Sequence, residues 1–169
     1  LEGSWAGLEK KGIDKPFTVT GLHKNILKDI GKKITEVPNT FKINRKVLRQ
    51  LQKRNKNISE GNGIDWATAE ALAFATLLDQ GISVRLSGQD CGRGTFSQRH
   101  AIIIDQETEE KYSTLNGVVK NGSRIEIVDS PLSEAAVLGF EYGYTLADPK
   151  TLVLWEAQFG DFANGAQLI

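Results

Sequence analysis

The sequence has few of the residues that form disulfides and metal centres. Its 169 residues include one cysteine, Cys91, and two histidines, His23 and His100. A single cysteine excludes an intrachain disulfide and any metal site built from several thiolates. Two histidines leave little material for a histidine-rich metal site. This composition is typical of a protein from a reducing cytosol or an organelle matrix.

Long apolar runs and methionine are also absent. No apolar stretch approaches the ~20 residues that a membrane span needs, and residues 1–5 lack the basic flank and apolar run of a secretory signal. The chain starts at Leu1 and ends on the apolar residues 166–169. We therefore expect a fragment of a longer polypeptide with no membrane partner. Its hydrophobic content of 40% is sufficient for an ordinary core.

Charge is balanced over the whole chain but not along it. Residues 1–60 contain 14 Lys and Arg against 6 Asp and Glu, and residues 61–169 contain 7 against 15. Such an asymmetry favours contact between the two parts, or a solvated surface. A basic arm that binds nucleic acid or an acidic partner is the alternative. Because aromatic residues are sparse among these basic residues, we expect no nucleic-acid partner.

Helical signals dominate the first part of the chain. They predict a helix over residues 22–30, capped by Thr20 and ended by Gly31, and a second helix over residues 44–55. We interpret residues 1–62 as a helical linker segment.

Helices and strands alternate from residue 63 onward. The pattern predicts a helix over 66–78, strands over 82–87, 101–104 and 124–129, a surface hairpin within 105–123, a helix that begins at Ser130-Pro131, a strand over 151–156 and a helix that starts near Asp161. Strands that alternate with crossover helices predict an α/β fold with a parallel, doubly wound sheet. We assign this domain to residues 63–169 and expect it to be truncated at its C-terminal side.

Ligands of parallel α/β sheets bind beyond the carboxyl ends of the strands. Three strand exits, at residues 88–100, 130–134 and 156–162, are therefore the candidate binding edge. The first exit has no glycine pattern for nucleotide phosphates. Cys91 has no neighbouring base and fits a plain loop cysteine, and His100 alone is more typical of a structural histidine.

The other two exits carry a carboxylate and two aromatic rings. Glu134 falls in the first turn of the predicted helix, where the helix dipole by itself favours an acid. Phe159 and Phe162 are spaced three apart, which predicts one shared helical face. That face could be core or a stacking platform for a flat ring. The residues by themselves do not name the ligand.

Four stretches closely resemble the decarboxylating first component of 2-oxoglutarate dehydrogenase: residues 63–73, 85–100, 129–134 and 154–167. The similarity runs continuously from Gly63 to Ile169 and is weaker over residues 1–62. It implies the pyrimidine-binding domain of a thiamine-diphosphate enzyme with a transketolase-like layout, preceded by a helical segment.

The resemblance also implies an activity for the full-length protein. That activity is oxidative decarboxylation of 2-oxoglutarate and transfer of succinyl to a lipoyl group in the tricarboxylic acid cycle. Its partners would be the lipoyl-bearing succinyltransferase component and dihydrolipoyl dehydrogenase, with the enzyme itself a homodimer. The location would be cytoplasmic in a bacterium and the mitochondrial matrix in a eukaryote. Mg²⁺ would be held by a domain that this chain lacks, so no metal ligand is expected here, and the fragment alone would be inactive.

Two alternatives to this activity stay open. One is a sister dehydrogenase for a longer 2-oxo acid such as 2-oxoadipate. The other is a non-catalytic interaction module that uses the basic N-terminal arm.

Site roles follow from the resemblance, position by position. Glu134 matches the glutamate that hydrogen-bonds a pyrimidine ring nitrogen and so favours the imino tautomer, which serves as an internal base. Phe162 matches the aromatic that stacks on the pyrimidine, with Phe159 nearby. Gln89 lies on the loop that approaches the cofactor. His100 matches a histidine beside the active-site channel.

Overall fold

Regular structure covers most of the chain in the computed structural model, which describes residues 2–8 and 19–169. Part of the predicted helical linker segment, Leu1 and residues 9–18, lies outside the described residues. The helices are α1 (Lys24–Lys33), α2 (Arg45–Glu60), α3 (Trp66–Asp79) and α4 (Glu134–Ala147). The strands are β1 (Val84–Gly88), β2 (Ile102–Ile104), β3 (Lys111–Ser113), β4 (Ile125–Asp129) and β5 (Leu152–Glu156). Short 3-10 helices occur at Gly3–Trp5, Thr114–Val118, Asp161–Ala163 and Gly165–Leu168.

A three-stranded parallel sheet in the order β4-β1-β5 forms the centre of the fold. Successive residues of β1 point to opposite faces, as strand geometry requires. Leu86 belongs to the apolar core together with residues of α3, whereas Arg85 forms an ion pair with Glu141 of α4. Helices therefore cover both faces, and the predicted α/β fold with a parallel, doubly wound sheet is confirmed.

Strand β2 does not join this sheet. It pairs antiparallel with β3 in a separate two-stranded hairpin. The connection between them is far too short for a parallel crossover, which needs a dozen or more residues. Asp105 anchors the hairpin because its carboxylate accepts hydrogen bonds from the backbone N–H groups of Lys42 at 2.6 Å, Glu107 at 2.8 Å and Thr108 at 2.9 Å. These bonds, led by that from Lys42, lower the pKa of Asp105 to about 2.

Helix α1 differs from its prediction at both ends. Nδ1 of His23, rather than Thr20, caps it by accepting the N–H of Asn25 at 3.3 Å. Gly31 does not end the helix and lies buried inside it. A Cβ at Gly31 would come within 2.4 Å of Cγ2 of Ile58 in α2. Gly31 therefore lets α1 and α2 approach each other closely. From the sequence alone, a glycine needed for close packing looks the same as a glycine that ends a helix.

The predicted second and third helices are present. Asn44 caps α2 through its side chain, and Gly61, with φ of +71°, ends it beyond the predicted boundary. Asp65 caps α3 by accepting the N–H of Thr68 at 2.8 Å.

Helix α4 starts later than predicted. The N–H of Ser130 donates to the carbonyl of Gly88 at 2.8 Å, so the chain continues along the sheet edge after β4. Ser133 precedes the helix, and Glu134 is its first residue. The prediction that the helix begins at Ser130-Pro131 is therefore wrong, because helical hydrogen bonding starts only with the bond from the N–H of Val137 to the carbonyl of Ser133.

The helical segment and the sheet share one core. Ile30 and Ile34, at the end of α1, are buried with residues of α3, β1 and the Thr114–Val118 turn. Arg54 of α2 is also buried and donates to the carbonyls of Gln98 and Arg99. The basic segment thus contacts the acidic one, as the charge asymmetry favoured. None of the helices in the described ranges is both long enough and apolar enough to cross a membrane.

Candidate active site

The three strand exits meet at one edge of the sheet. Gly88 at the end of β1 is in register with Asp129 of β4 and with Glu156 of β5, because the three strands are parallel. Between the exits lies a narrow cleft whose interior has no room for a water molecule. All three exits contribute to its lining, which consists of Gln89, Ser130, Pro131, Ser133, Glu134, Val137, Trp155, Glu156 and Asp161. The three exits therefore converge at the predicted binding edge, with no open cavity between them.

Glu134 and Gln89 both line this cleft. As the first residue of α4, Glu134 is half-buried, and a Cβ at Gly165 would lie 2.9 Å from its Oε2. The Glu134 carboxylate thus lies against the backbone of the loop that follows β5. That loop is linked to Gln89 as well, because Nε2 of Gln158 donates to the Gln89 carbonyl at 3.3 Å. The structure brings these two predicted residues together, and their roles stay predictions.

Phe159 and Phe162 lie outside the lining of the cleft. Phe159 is fully exposed, and Phe162 is 66% exposed. The interpretation that both lie on one helical face is wrong, since Gly160 has φ of +91° and a short 3-10 helix begins only at Asp161. Asp161 itself is buried, lines the cleft and accepts the N–H of Gln158 at 2.8 Å. Phe162 is therefore carried next to the cleft on an outward-facing turn.

His100 lies elsewhere. It lines a separate pocket between the segment that precedes α2 and strand β2, and its backbone is in the left-handed region with φ of +46°. Burial lowers its pKa and, with the positive charges of Arg54 and Arg93, outweighs a hydrogen bond to the backbone of Ser97. The imidazole is therefore neutral at pH 7. Glu134 and His100 are not brought into one cleft by the described structure.

Cys91 is a buried structural residue. It is completely inaccessible, and its Sγ donates to the carbonyl of Val128 at 3.2 Å. Burial, reinforced by the nearby charge of Asp129, raises the pKa of the Cys91 thiol to about 12. A thiol in this state is a poor nucleophile, which confirms the interpretation as a plain loop cysteine.

Arg99 is a buried charged residue that was not among the predicted site residues. Its guanidinium is 5% exposed and forms ion pairs with Glu70 of α3, at 2.6 Å, and with Glu156 at the end of β5. It also donates to the Cys91 carbonyl at 2.7 Å. Burial opposes the charge, but the hydrogen bonds to Glu156 and Glu70 outweigh it, so the pKa of Arg99 is raised.

A sequence signal for this ion cluster does exist. Glu70 is the one acidic residue inside the otherwise alanine-rich stretch 66–78, and Glu156 directly follows an apolar strand. Charged residues at such buried positions need partners of opposite sign. Arg99, in the loop between β1 and β2, could have been matched to them on this ground.

A second buried arginine lies on the opposite face of the sheet. Arg85 pairs with Glu141 of α4 at 2.8 Å and with Glu126 of β4 at 2.6 Å. Its guanidinium carbon also lies 5.3 Å from the ring centre of Phe140 and 4.9 Å from that of Tyr144. None of these residues lines the cleft. Like the cluster around Arg99, this cluster pairs one buried arginine with two glutamates. It differs in lying away from the cleft, so we interpret it as structural.

Metal ligands were not expected in this chain. Within residues 2–8 and 19–169, no group of three or more His, Cys, Asp or Glu side chains is arranged to hold a metal ion.

Comparison with known proteins adds a family and a set of relatives. The family model described as "Transketolase, pyrimidine binding domain" matches residues 62–168. Proteins named "2-oxoglutarate dehydrogenase E1 component" from Brucella anthropi and Rickettsia felis are 53% and 52% identical to this chain over its whole length. A protein of the same name from Brucella ovis is 52% identical. The chain spans 17% of the length of each of these relatives. The resemblance found in the sequence is confirmed.

Proposed function

Because the chain belongs to the transketolase pyrimidine-binding domain family, we propose that it forms the half of a thiamine-diphosphate site that holds the aminopyrimidine ring. The observation that carries this proposal is the meeting of Glu134 and Gln89 in one cleft at the carboxyl edge of the sheet. A carboxylate and an amide at the rim of one cleft can bind the ring nitrogens of a flat heterocycle.

The residues of the cleft fit this group. Glu134 supplies a carboxylate at the rim of the cleft that can bind a ring nitrogen. The ring of Phe162 is exposed beside the cleft and free to stack on a ligand. Gln89, at the first strand exit, would bound the opposite side.

Glu134 would control the protonation of a pyrimidine ring nitrogen. As the first residue of α4 it is held in place by the helix and by the close backbone of Gly165. In this position it would share a proton with a ring nitrogen and so adjust the basicity of the ring's amino group. When bound, thiamine diphosphate supplies the nucleophilic carbon and the electron sink that decarboxylation of a 2-oxo acid requires.

The full-length protein is proposed to be the first component of 2-oxoglutarate dehydrogenase. The names of its relatives and their 52–53% identity support this activity. It would decarboxylate 2-oxoglutarate, pass succinyl to a lipoyl-bearing transferase and work with dihydrolipoyl dehydrogenase, as a homodimer in the bacterial cytoplasm. The Mg²⁺ that accompanies the diphosphate would be held outside this chain. Kinetics of the full-length enzyme with 2-oxoglutarate and with 2-oxoadipate would show which of the two acids is the preferred substrate.

The role of Glu134 is tested by Glu134→Gln in the full-length enzyme. We expect decarboxylation to fall by about 10²–10⁴-fold, the range for loss of a positioned acid–base group, with the fold unchanged by circular dichroism. Glu110→Gln, an exposed glutamate of the hairpin, is the matched control. Near-native decarboxylation by the Glu134 variant would contradict the assignment.

Half a cofactor site also predicts that the isolated 169-residue chain does not turn over. A decarboxylase assay on this chain should give only the uncatalysed background. Turnover by the chain alone would mean that it contains the complete site.

A further inference from the structure

A pocket lies behind the start of α4, on the face of the sheet that α4 covers. It has a volume of about 240 Å³ and lies between β1, the end of β4 and the first two turns of α4. We call it the α4 pocket, and its lining includes Ser87, Val128, Pro131, Ala136, Val137 and Phe140. Unlike the cleft at the strand exits, it has room for a small organic molecule, since an apolar cavity of about 150 Å³ accepts benzene.

The side chain of Ser87 points toward this pocket. Side chains alternate along β1, so Ser87 is on the same face of the sheet as Arg85, which pairs with Glu141 of α4 at 2.8 Å. The register of the sheet places Ser87 beside Val128 of β4, which also lines the pocket. Because a serine side chain has no atoms beyond Cβ and the hydroxyl group, the hydroxyl lies on the α4 side of the sheet.

The hydroxyl of Ser87 is a buried polar group without a partner. Ser87 is 1% exposed, and its Oγ makes no hydrogen bond to the residues that the structure describes. A buried hydroxyl in this state is costly to a fold, and most such groups have a partner. Because Oγ can turn between staggered positions and the α4 pocket adjoins it, we interpret this hydroxyl as the polar anchor of a ligand.

The rest of the lining favours an uncharged ligand with a flat apolar body. Val137 and Phe140 supply methyl groups and an aromatic ring, against which another aromatic ring packs well. Arg85 also lines the pocket, but it is already paired with both Glu126 and Glu141. A ligand carboxylate would therefore find no free cation there and would meet the excess negative charge of the two glutamates.

We propose that the α4 pocket binds a small neutral aromatic molecule that carries one hydroxyl group, with Ser87 as the hydrogen-bond partner of that group. The ring of the ligand would pack against Val137 and Phe140. This site is distinct from the proposed cofactor site, because neither Glu134 nor Gln89 lines it. The inference therefore does not depend on the proposed function.

The α4 pocket is nevertheless a neighbour of the cleft. Both are lined by Ser130, Pro131 and Val137, and Glu134 lies between the last two along the chain. A ligand that fills the pocket therefore also contacts the segment that leads into α4. Because of this overlap, binding to the pocket has to be measured with the cofactor site already filled.

Fluorine NMR on the full-length protein tests the proposal with two probes of similar size, 4-fluorophenol and fluorobenzene. Both are titrated in the presence of excess thiamine diphosphate and Mg²⁺. We expect saturable binding of both probes, because both have the flat apolar body. The phenol should bind about 2–10-fold more tightly, the range for one additional hydrogen bond between uncharged groups.

Ser87→Ala removes the proposed anchor, and Ser113→Ala is the matched control. The Oγ of Ser113 is likewise buried and without a partner among the described residues, but Ser113 belongs to β3 and does not line the α4 pocket. Neither variant should lower the melting temperature, because each removes an unsatisfied buried hydroxyl. Only Ser87→Ala should abolish the preference for 4-fluorophenol over fluorobenzene.

Ala136→Phe decides the proposal if Ser87→Ala fails to fold. Ala136 is exposed on α4 and lines the pocket, so a phenyl group there should fill it and remove the binding of both probes. Three results would overturn the inference. They are the absence of saturable binding, which would mean that water or another part of the full-length protein fills the pocket, equal affinity of the native protein for the two probes, and an unchanged preference in Ser87→Ala.

Discussion

At the scale of single residues, burial decides which reactive side chains are available for chemistry. Cys91 and Glu134 are both located at strand exits, where a sequence pattern favours ligand binding. The thiol of Cys91 faces the core and donates to a backbone carbonyl, whereas Glu134 is half-buried and lines the cleft. Proximity to the binding edge is therefore not sufficient, and the direction of the side chain separates a structural residue from a candidate for catalysis.

Cys91 gives a prediction at this scale. With a pKa of about 12, the thiol has about a thousandfold less thiolate near pH 8 than an ordinary cysteine. A coloured aromatic disulfide reagent should therefore modify the native protein only at the rate of unfolding. The same protein in denaturant should react within minutes. Rapid stoichiometric modification of the native protein would contradict the burial of this thiol.

At the scale of elements, two helices of the N-terminal segment are placed by one contact. Gly31 of α1 lies against Ile58 of α2, with no room for a side chain at the glycine. Helix propensity favours alanine over glycine by about 1 kcal/mol, so the glycine is retained at a cost to the isolated helix. The close packing of α1 against α2 therefore outweighs the low helix propensity of glycine in α1.

Gly31→Ala tests this balance. We expect a loss of up to about 2 kcal/mol in the free energy of unfolding, because overpacking costs about 1–3 kcal/mol and the gain in helix propensity offsets about 1 kcal/mol of it. Urea denaturation measures the change. Gly143→Ala is the control, since nothing lies within 4 Å of a Cβ there, and it should stabilise α4 by about 0.5–1 kcal/mol. Equal effects at both positions would refute the close contact between α1 and α2.

At the scale of the whole molecule, the helical segment is part of the domain core. Ile30 and Ile34 are buried beside Phe74 and Leu78 of α3. The contact is apolar here, and Arg54 adds hydrogen bonds to backbone carbonyls rather than an ion pair. It also places α2, through Arg54, against the loop that carries Arg99. The segment that precedes the sheet therefore supports the candidate site indirectly.

The Ile34→Ala variant tests how much this shared core contributes to the free energy of unfolding. The side chain is 1% exposed, and truncation of a buried isoleucine to alanine costs about 2–5 kcal/mol. A single cooperative urea transition at a lower midpoint is expected, because one core unfolds as one unit. Ile26→Ala on the exposed side of α1 should change the free energy by less than about 0.5 kcal/mol. A variant at Ile34 that unfolds like the native protein would show that the segment does not stabilise the sheet.

Local patterns in the sequence were sufficient for the elements that depend on neighbours along the chain. The capping of α3 by Asp65, the three parallel strands and the meeting of their exits follow from hydrophobic periodicity and from the rules of parallel sheets. Glu134 and Gln89 could be placed at one edge for the same reason. The late start of α4 could not, because the Ser130-Pro131 pattern is typical of a helix start while the backbone of Ser130 instead bonds to β1, a strand far away in sequence.

The sequence by itself determined the order of the main elements, the edge at which three strand exits meet and the family to which the chain belongs, since these depend on periodicity and motif. Only the tertiary structure decided that Gly31 is a packing contact, that β2 leaves the parallel sheet and that His100 lies outside the cleft. It alone revealed Arg99 between Glu70 and Glu156. The physical reason is that burial and ion pairing depend on partners brought together by folding, and the spacing of residues along the chain does not identify those partners.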